Sequence, residues 1–446
     1  MVGRMKKTIG VIGLWHLGCV LCASWSKLGN KVVGFDYDSS RIEGLNNGKP
    51  PIYEPELDEV IQDGMQKGNL AFADDLKSLE TCDFVFLSYD TPVGDDDDSD
   101  TAILERAVDD VKRVMKDNSV LIVSSQSPVG FCASLRSKMI EENRALELAY
   151  SPENLRLGEA IACYLNPGRI ILGTASEAAK EKSVDLFSQV KADVLTMNLE
   201  SAEMVKHGIN SFLAMSIVFA NHLADLCESS GARIDDVVRG MKSDPRIGQK
   251  AYLAPGIGFS GGTLGRDLKV LDEKNRNAEG DAKIFGLIHS LNKKRKETIV
   301  RRIEKILGGI KGRNIGLLGL TYKPGTSTLR RSLPLEIAKS LIGRGAKVAV
   351  YDPKADYGEL DFEHEFTITN RIHDVSLSAD VLVLLTEWEE FKMYDWHDIP
   401  KNMAGRAFLD TKNFLNEKEM VGWGFQYHSM GRGPQITQIG ADLKKG

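Results

Sequence analysis

At 446 residues the chain is too long for one hydrophobic core, so two or three domains are expected, and its 42% hydrophobic and 27% charged make-up is that of an ordinary globular protein. A net charge of -6 supplies no basic face. No nucleic-acid partner is therefore expected, and an anionic small ligand has to be held by local arginines, lysines and helix ends.

The N-terminus joins basic residues to an apolar run, as a secretory signal does, but Gly10, Gly13, His16 and Gly18 break that run. It reads better as a β-strand entering a tight turn. No other apolar run reaches the roughly 18 residues of a membrane-spanning helix, and no membrane partner is expected. Six cysteines scattered through the first half of so large a chain suit a reducing, cytoplasmic setting. Cys19 and Cys22 form a C-x-x-C where an amphipathic helix should start to pack, which favours two small buried side chains over a redox pair.

Apolar strands alternate with helical segments at Thr8 to Ile12, Lys31 to Phe35, Phe84 to Ser88, Val120 to Ser124 and Arg169 to Gly173, predicting right-handed crossovers and a parallel sheet. The first strand runs into Gly13, Leu14, Trp15, His16, Leu17 and Gly18, and the second ends on Asp36. A glycine turn, a helix N-terminus and an acidic residue at these offsets predict a dinucleotide site, with the helix end on the pyrophosphate and the carboxylate on the ribose. Asp36 favours NAD over NADP, because it would repel a 2'-phosphate. Trp15 stands where a second glycine normally lets the backbone approach the pyrophosphate. Its ring must either displace the cofactor or swing aside and lie over it.

The carboxylates at 95–98 cannot converge on one ion and read as a solvated loop, so no metal site is expected. Glu153, in Ser-Pro-Glu just past a strand, can orient water, take a proton or cap a helix. From about Glu200 the pattern becomes helical, through Ala202 to Ser229 and again Ile284 to Leu307. Lys206 and Asn210 share one face of the first of these, where an ammonium and an amide could hold an alcohol oxygen or oxyanion, although taken alone a solvated helix face is the better reading. Between these helices, Pro255 to Asp267 holds five glycines, a cost in chain entropy that is tolerated where backbone must pass close to a ligand. Strands return at Asn314 to Leu318, Lys347 to Tyr351, Val381 to Leu385 and Ala407 to Asp410, and the second again ends on an aspartate, Asp352.

With these segments in place, the chain resembles the UDP-glucose and GDP-mannose dehydrogenase family over nearly its whole length. The matches run in order through Pro51-Ile52-Tyr53-Glu54-Pro55, Thr91-Pro92, Ser151-Pro152-Glu153, Ser201 to Lys206, Asp244 to Gly248 and the glycine stretch. They continue through Gly319 to Pro324, Tyr351-Asp352-Pro353, Thr386-Glu387-Trp388 and Gly431-Arg432. The resemblance implies an α/β protein with two Rossmann-like, doubly wound parallel-sheet domains joined by a central all-helical domain. It assigns 1–195 to NAD, 196–308 to a helical dimerisation core with a long connecting helix, and 309–446 to the nucleotide sugar. Implied with it are NAD as cofactor, a nucleotide-sugar substrate, a homodimer and a place in polysaccharide biosynthesis.

By position, Glu153, Lys206, Asn210 and Asp267 match the family's acid/base and oxyanion residues. The glycine turn, Asp36, Thr91 and Arg266 fall to the cofactor, and Arg246, Phe259, Gly261, Lys323 and Arg330 to the substrate. Family members oxidise a sugar alcohol twice, through a cysteine thiohemiacetal and a thioester. Here the cysteine position is Thr263, and no cysteine follows Cys227. Arg266 replaces a lysine, Gln126 a threonine, Leu157 a second glutamate and Lys412 an arginine. A thiol of pKa ~8.5 readily becomes a nucleophilic thiolate, whereas a hydroxyl needs a dedicated base. The expectation is therefore an NAD-dependent dehydrogenase that stops at the carbonyl or oxidises the aldehyde hydrate without a covalent intermediate. The alternatives are a nucleotide-sugar-binding protein that has lost turnover and a conventional four-electron dehydrogenase in which Thr263 merely substitutes for cysteine.

Overall fold

The structure is a computed structural model, which describes residues 6–91, 101–142, 145–152, 155–156, 158–278, 283–360 and 366–433. Glu153, Leu157 and the acidic run 95–98 lie outside the described residues. By its contacts the chain divides into two compact units, Met1–Ile209 and Asn210–Gly446.

The first unit is built on eight strands: β1 (Thr8–Ile12), β2 (Lys31–Phe35), β3 (Leu70–Ala73), β4 (Phe84–Leu87), β5 (Val120–Val123), β6 (Glu147–Tyr150), β7 (Ile170–Thr174) and β8 (Val194–Met197). Their order in the sheet is β3-β2-β1-β4-β5-β6-β7-β8. The chain starts in the middle, builds outward one way, then returns to build the other way, and the reversal between β1 and β4 is where open α/β sheets bind ligands. Strands β4 and β5 are buried along their whole length, because helices cover both faces. One face packs around Trp25, Phe86 and Phe187, the other around Leu104, Val108 and Tyr150.

The sheet departs from the expected parallel arrangement at one place, where β7 runs antiparallel to β6. A parallel neighbour must be entered from the far end of the sheet. The helix described in that connection, Ala160–Leu165, is only six residues long.

The second unit holds the helices Ile234–Ser243, Thr263–Asn277 and Ile284–Leu307, followed by β9 (Asn314–Leu318), β10 (Lys347–Tyr351), β11 (Thr367–Ile368), β12 (Val381–Leu384), β13 (Ala407–Asp410) and β14 (Gln426–Ser429). The order β11-β10-β9-β12-β13-β14 repeats that of the first six strands of the first unit, here with every pair parallel. Ile299, Val300 and Ile303 of the long helix pack into the core of this sheet with Leu317, Leu333 and Ile337.

Helix Leu199–Ser230 runs through the boundary between the units, and by length and composition alone it could cross a membrane. Several of its buried polar groups have partners in the protein. Glu203 accepts from Gly130 and Cys132 N–H, His207 pairs with the Ser127 carbonyl, and Asn221 accepts from Gly256 N–H. That is the pattern of a core helix. Burial raises the Glu203 carboxyl above the ordinary glutamate range, against the pull of its two N–H donors.

Candidate active site

The turn after β1 is shaped by its first and third glycines. Gly13 has φ +97, and a side chain there would meet the Tyr89 backbone nitrogen at 2.7 Å. A Cβ on Gly18 would lie 1.9 Å from the Gly13 carbonyl oxygen, so helix and strand can touch only through glycine. Trp15 caps the helix His16–Lys27 with φ -85 and ψ -153, a conformation open to any residue, so its backbone is unstrained. The helix N-terminus has no side-chain cap, which leaves it suited to an anion. Leu14 and Leu17 are buried in the core, and only the Leu14 N–H faces the site, donating to Asp36 Oδ2 at 2.6 Å.

Asp36 is buried, and it is not bare. Arg41 donates to its Oδ2 at 2.8 Å, approaches Asp38, and lies over the Trp15 ring with Cζ 5.4 Å from the centroid. Asp38 N–H adds a bond to Oδ1. The residues present fit a dinucleotide: a tight turn, an open helix end and a carboxylate at the end of β2. The Arg41 and Trp15 pair covers that carboxylate and has to part to admit a ribose. Sequence reasoning missed Arg41, whose only signal is its place five residues after Asp36.

It also missed the role of Glu54. This carboxylate, with no side-chain exposure, bonds His16 Nε2 at 2.9 Å and accepts from Gly158 and Ala160 N–H, tying the glycine turn to the segment that follows Glu153. The Thr91 hydroxyl donates to the Gln126 carbonyl at 3.1 Å. Cys19 and Cys22 are buried, and burial pushes the Cys19 thiol up to about 12 and Cys22 well up too, as befits packing side chains rather than a thiolate pair.

In the second unit, Asn210 donates to the fully buried Asp267 through a short hydrogen bond. Asp267 sits one turn beyond Thr263, the exposed first residue of helix Thr263–Asn277, with Arg266 buried beside it. Lys206 is buried one turn before Asn210 on their common helix.

The glycine stretch lies against the loop after β9. Gly261 N–H donates to the Arg331 carbonyl, Ser260 Oγ accepts from Leu333 N–H, and the Tyr322 ring is 3.5 Å from where a Gly261 side chain would begin. Lys323 lies over that ring, 5.7 Å from its centroid. Arg330 is exposed, its N–H bound to Glu359. Lys412 pairs with Glu387 at 2.9 Å and passes 3.7 Å from the Gly256 position. Two expected ligand residues stand apart from this cluster. The Phe259 ring packs in the core with Ala214, Val218, Leu268 and Ile288, and the largely exposed Arg246 side chain pairs with Asp244.

A chain with a dinucleotide turn on one sheet, a second sheet of the same order and a glycine stretch packed against its first loop can be matched to known proteins. Three models of the UDP-glucose/GDP-mannose dehydrogenase family match: the NAD binding domain at residues 7–191, the central domain at 200–294 and the UDP binding domain at 316–417. The UDP-glucose 6-dehydrogenase TuaD of Bacillus subtilis is 32% identical over 433 residues, 96% of this chain and 94% of its own length.

The chain belongs to the UDP-glucose/GDP-mannose dehydrogenase family.

Among solved structures, a UDP-glucose dehydrogenase from Pyrobaculum islandicum superposes with a TM-score of 0.88 at 28% identity, covering 97% of this chain and 99% of that one. A UDP-D-ManNAc dehydrogenase from Pyrococcus horikoshii gives 0.84 at 26%, covering 96% and 99%. The protein is an NAD-dependent nucleotide-sugar dehydrogenase. The non-catalytic alternative is not favoured by this likeness.

Proposed function

We propose that this enzyme oxidises a CH–OH group of a UDP-sugar, either stopping at the carbonyl or oxidising the aldehyde hydrate to the uronate without an acyl-enzyme. The observation that carries this reading is Thr263 itself, exposed at the first position of its helix and one turn from buried Asp267, where the family resemblance calls for a cysteine. A helix N-terminus can help a thiol ionise, but it cannot bring a hydroxyl of far higher pKa to a useful alkoxide population. The UDP moiety is supported by the UDP binding domain match and by the names of the curated relatives.

Gly13 to Gly18, Asp36, Thr91 and Arg266 would hold NAD, which when bound supplies the hydride acceptor. Glu153 or Asp267 takes the alcohol proton, and Lys206 and Asn210 hold the oxygen as its charge develops. Lys323 and Arg330 would neutralise the diphosphate, Gly261 and the Phe259 backbone would lie along the nucleotide, and Arg246 would reach the sugar nucleotide of the neighbouring subunit. The domains are assigned as 1–195, 196–308 and 309–446. Phe212, Phe219 and Leu226, each at least half exposed and seven residues apart on one helix, support a homodimer built on that face. A cytoplasmic location and a role in polysaccharide biosynthesis accompany this reading.

Counting NADH formed per UDP-sugar consumed tests the proposal, with intact-protein mass spectrometry taken during turnover. One NADH per sugar, or two with no adduct, is the expected result, and Thr263→Cys should acquire an acyl thioester at position 263. Two NADH with a sugar acyl group on Thr263 of the unaltered protein would sink the reading.

A further inference from the structure

We infer that Asn292 is a positioning residue of the nucleotide-sugar site, pairing through its carboxamide with both polar groups of Phe259 and so fixing the backbone of the glycine stretch ahead of Thr263. The inference rests on the reading above that this stretch lines the nucleotide sugar.

Asn292 Oδ1 accepts from Phe259 N–H at 2.9 Å, and Nδ2 donates to the Phe259 carbonyl at 2.9 Å. A buried side-chain amide thus does here what a neighbouring strand does in a sheet. The preceding residue is fitted to it. Gly258 has φ +109, and a side chain there would lie 2.6 Å from Asn292 Oδ1, so the amide occupies the space that any other residue at 258 would fill. A second attachment lies two residues before. Gly256 donates N–H to Asn221 Oδ1 at 2.7 Å, and its carbonyl accepts from Arg295 Nε at 3.1 Å.

Arg295 and Asn292 are three residues apart and so share a face of helix Ile284–Leu307. Arg295 is held in turn by Asp225, which also binds Arg302. The loop is therefore hung at two points from one rigid helix, and four residues after Phe259 the chain enters the helix that begins with Thr263. Free glycine-rich backbone loses more conformational entropy on ordering than any other backbone. Side chains already buried in the fold meet that cost before the substrate arrives. Loss of the splint should therefore appear in nucleotide-sugar affinity and largely spare NAD, whose proposed residues other than Arg266 lie in the first unit.

Asn292→Asp is nearly isosteric, can still accept the Phe259 N–H, and sets an oxygen against the Phe259 carbonyl. In the full-length protein, calorimetry with UDP-glucose and separately with NAD would be combined with hydrogen exchange of a peptide covering 256–262. Expected are faster exchange in that peptide, a UDP-glucose Kd weaker by about tenfold or more, and an NAD Kd within about twofold of the original. Gly258→Ala, which attacks the same contact from the loop side, should reproduce the pattern if Asn292→Asp does not fold. An unchanged UDP-glucose Kd despite faster exchange overturns the inference, as does an equal loss of NAD affinity. If the unaltered protein binds no UDP-sugar at all, the functional reading fails and takes this inference with it. Binding by the unaltered protein that survives in both variants sinks the inference alone.

Discussion

The two sheets begin alike and end in different chemistry. In each, the first strand closes on a glycine that the strand beyond it passes beneath: a Cβ at Gly13 would meet Tyr89 nitrogen at 2.7 Å, and one at Gly319 would meet Thr386 nitrogen at 2.7 Å. In each, an aspartate ending the second strand accepts an N–H from the turn, Leu14 to Asp36 and Leu320 to Asp352. There the likeness stops. Asp352 also receives Thr321 N–H, Thr321 Oγ1, Trp388 Nε1, Lys354 N–H and Ala355 N–H, which fills a carboxylate's capacity. Beyond the turn N–H, Asp36 receives Asp38 N–H and Arg41, a long and partly exposed cation that can swing away. The first glycine turn runs straight into an uncapped helix. The second leads into a loop, and the helix after it is capped by Ser332. An acidic residue ending a second strand is therefore a ligand group only if its own fold has left it capacity.

The largest effect should come from breaking the saturated carboxylate. Asp352→Ala strands six donors and is expected to lower stability by roughly 3 kcal/mol or more, read by urea unfolding, with NAD affinity unchanged. Asp36→Asn should reverse that pattern: a modest stability change, and an NAD Kd weakened about tenfold to hundredfold by calorimetry. An unchanged Kd would mean that Asp36 is as structural as Asp352. The smallest shift is expected from Trp15→Gly, which removes the ring under Arg41 and should tighten NAD binding by roughly threefold. Looser binding instead would show that the ring stacks on the cofactor rather than covering its site.

Much of this was open to inspection in the chain itself. Strands β1, β2, β9, β10 and β13 fall where the apolar runs place them, because strands buried on both faces are written as unbroken apolar segments. The four sheet edges, β3, β8, β11 and β14, were not marked. They are two to four residues long, too short to stand out as runs even where they are apolar, as in β3 and β8, while β14 reads Gln-Tyr-His-Ser, since an edge strand half in water needs no apolar run. The reversed β7 was also invisible, for direction depends on how far the connection travels and not on the strand's own composition. At the site, the glycine turn, Asp36, the glycine stretch and the missing cysteine were all legible, being local in the chain.

The order of residues alone thus determined the doubled sheet, the kinship and the absence of a thiol at position 263, because each is carried by periodicity or short motifs within a few turns of chain. Only the tertiary structure decided which of two matching aspartates is already saturated, that Arg41 covers the other, that Glu54 reaches Ala160 across 106 residues, and that Asn292 holds Phe259 across 33. Those facts are hydrogen-bond pairings between distant segments, and a polar side chain does not record in its own neighbourhood which partner folding will bring to it.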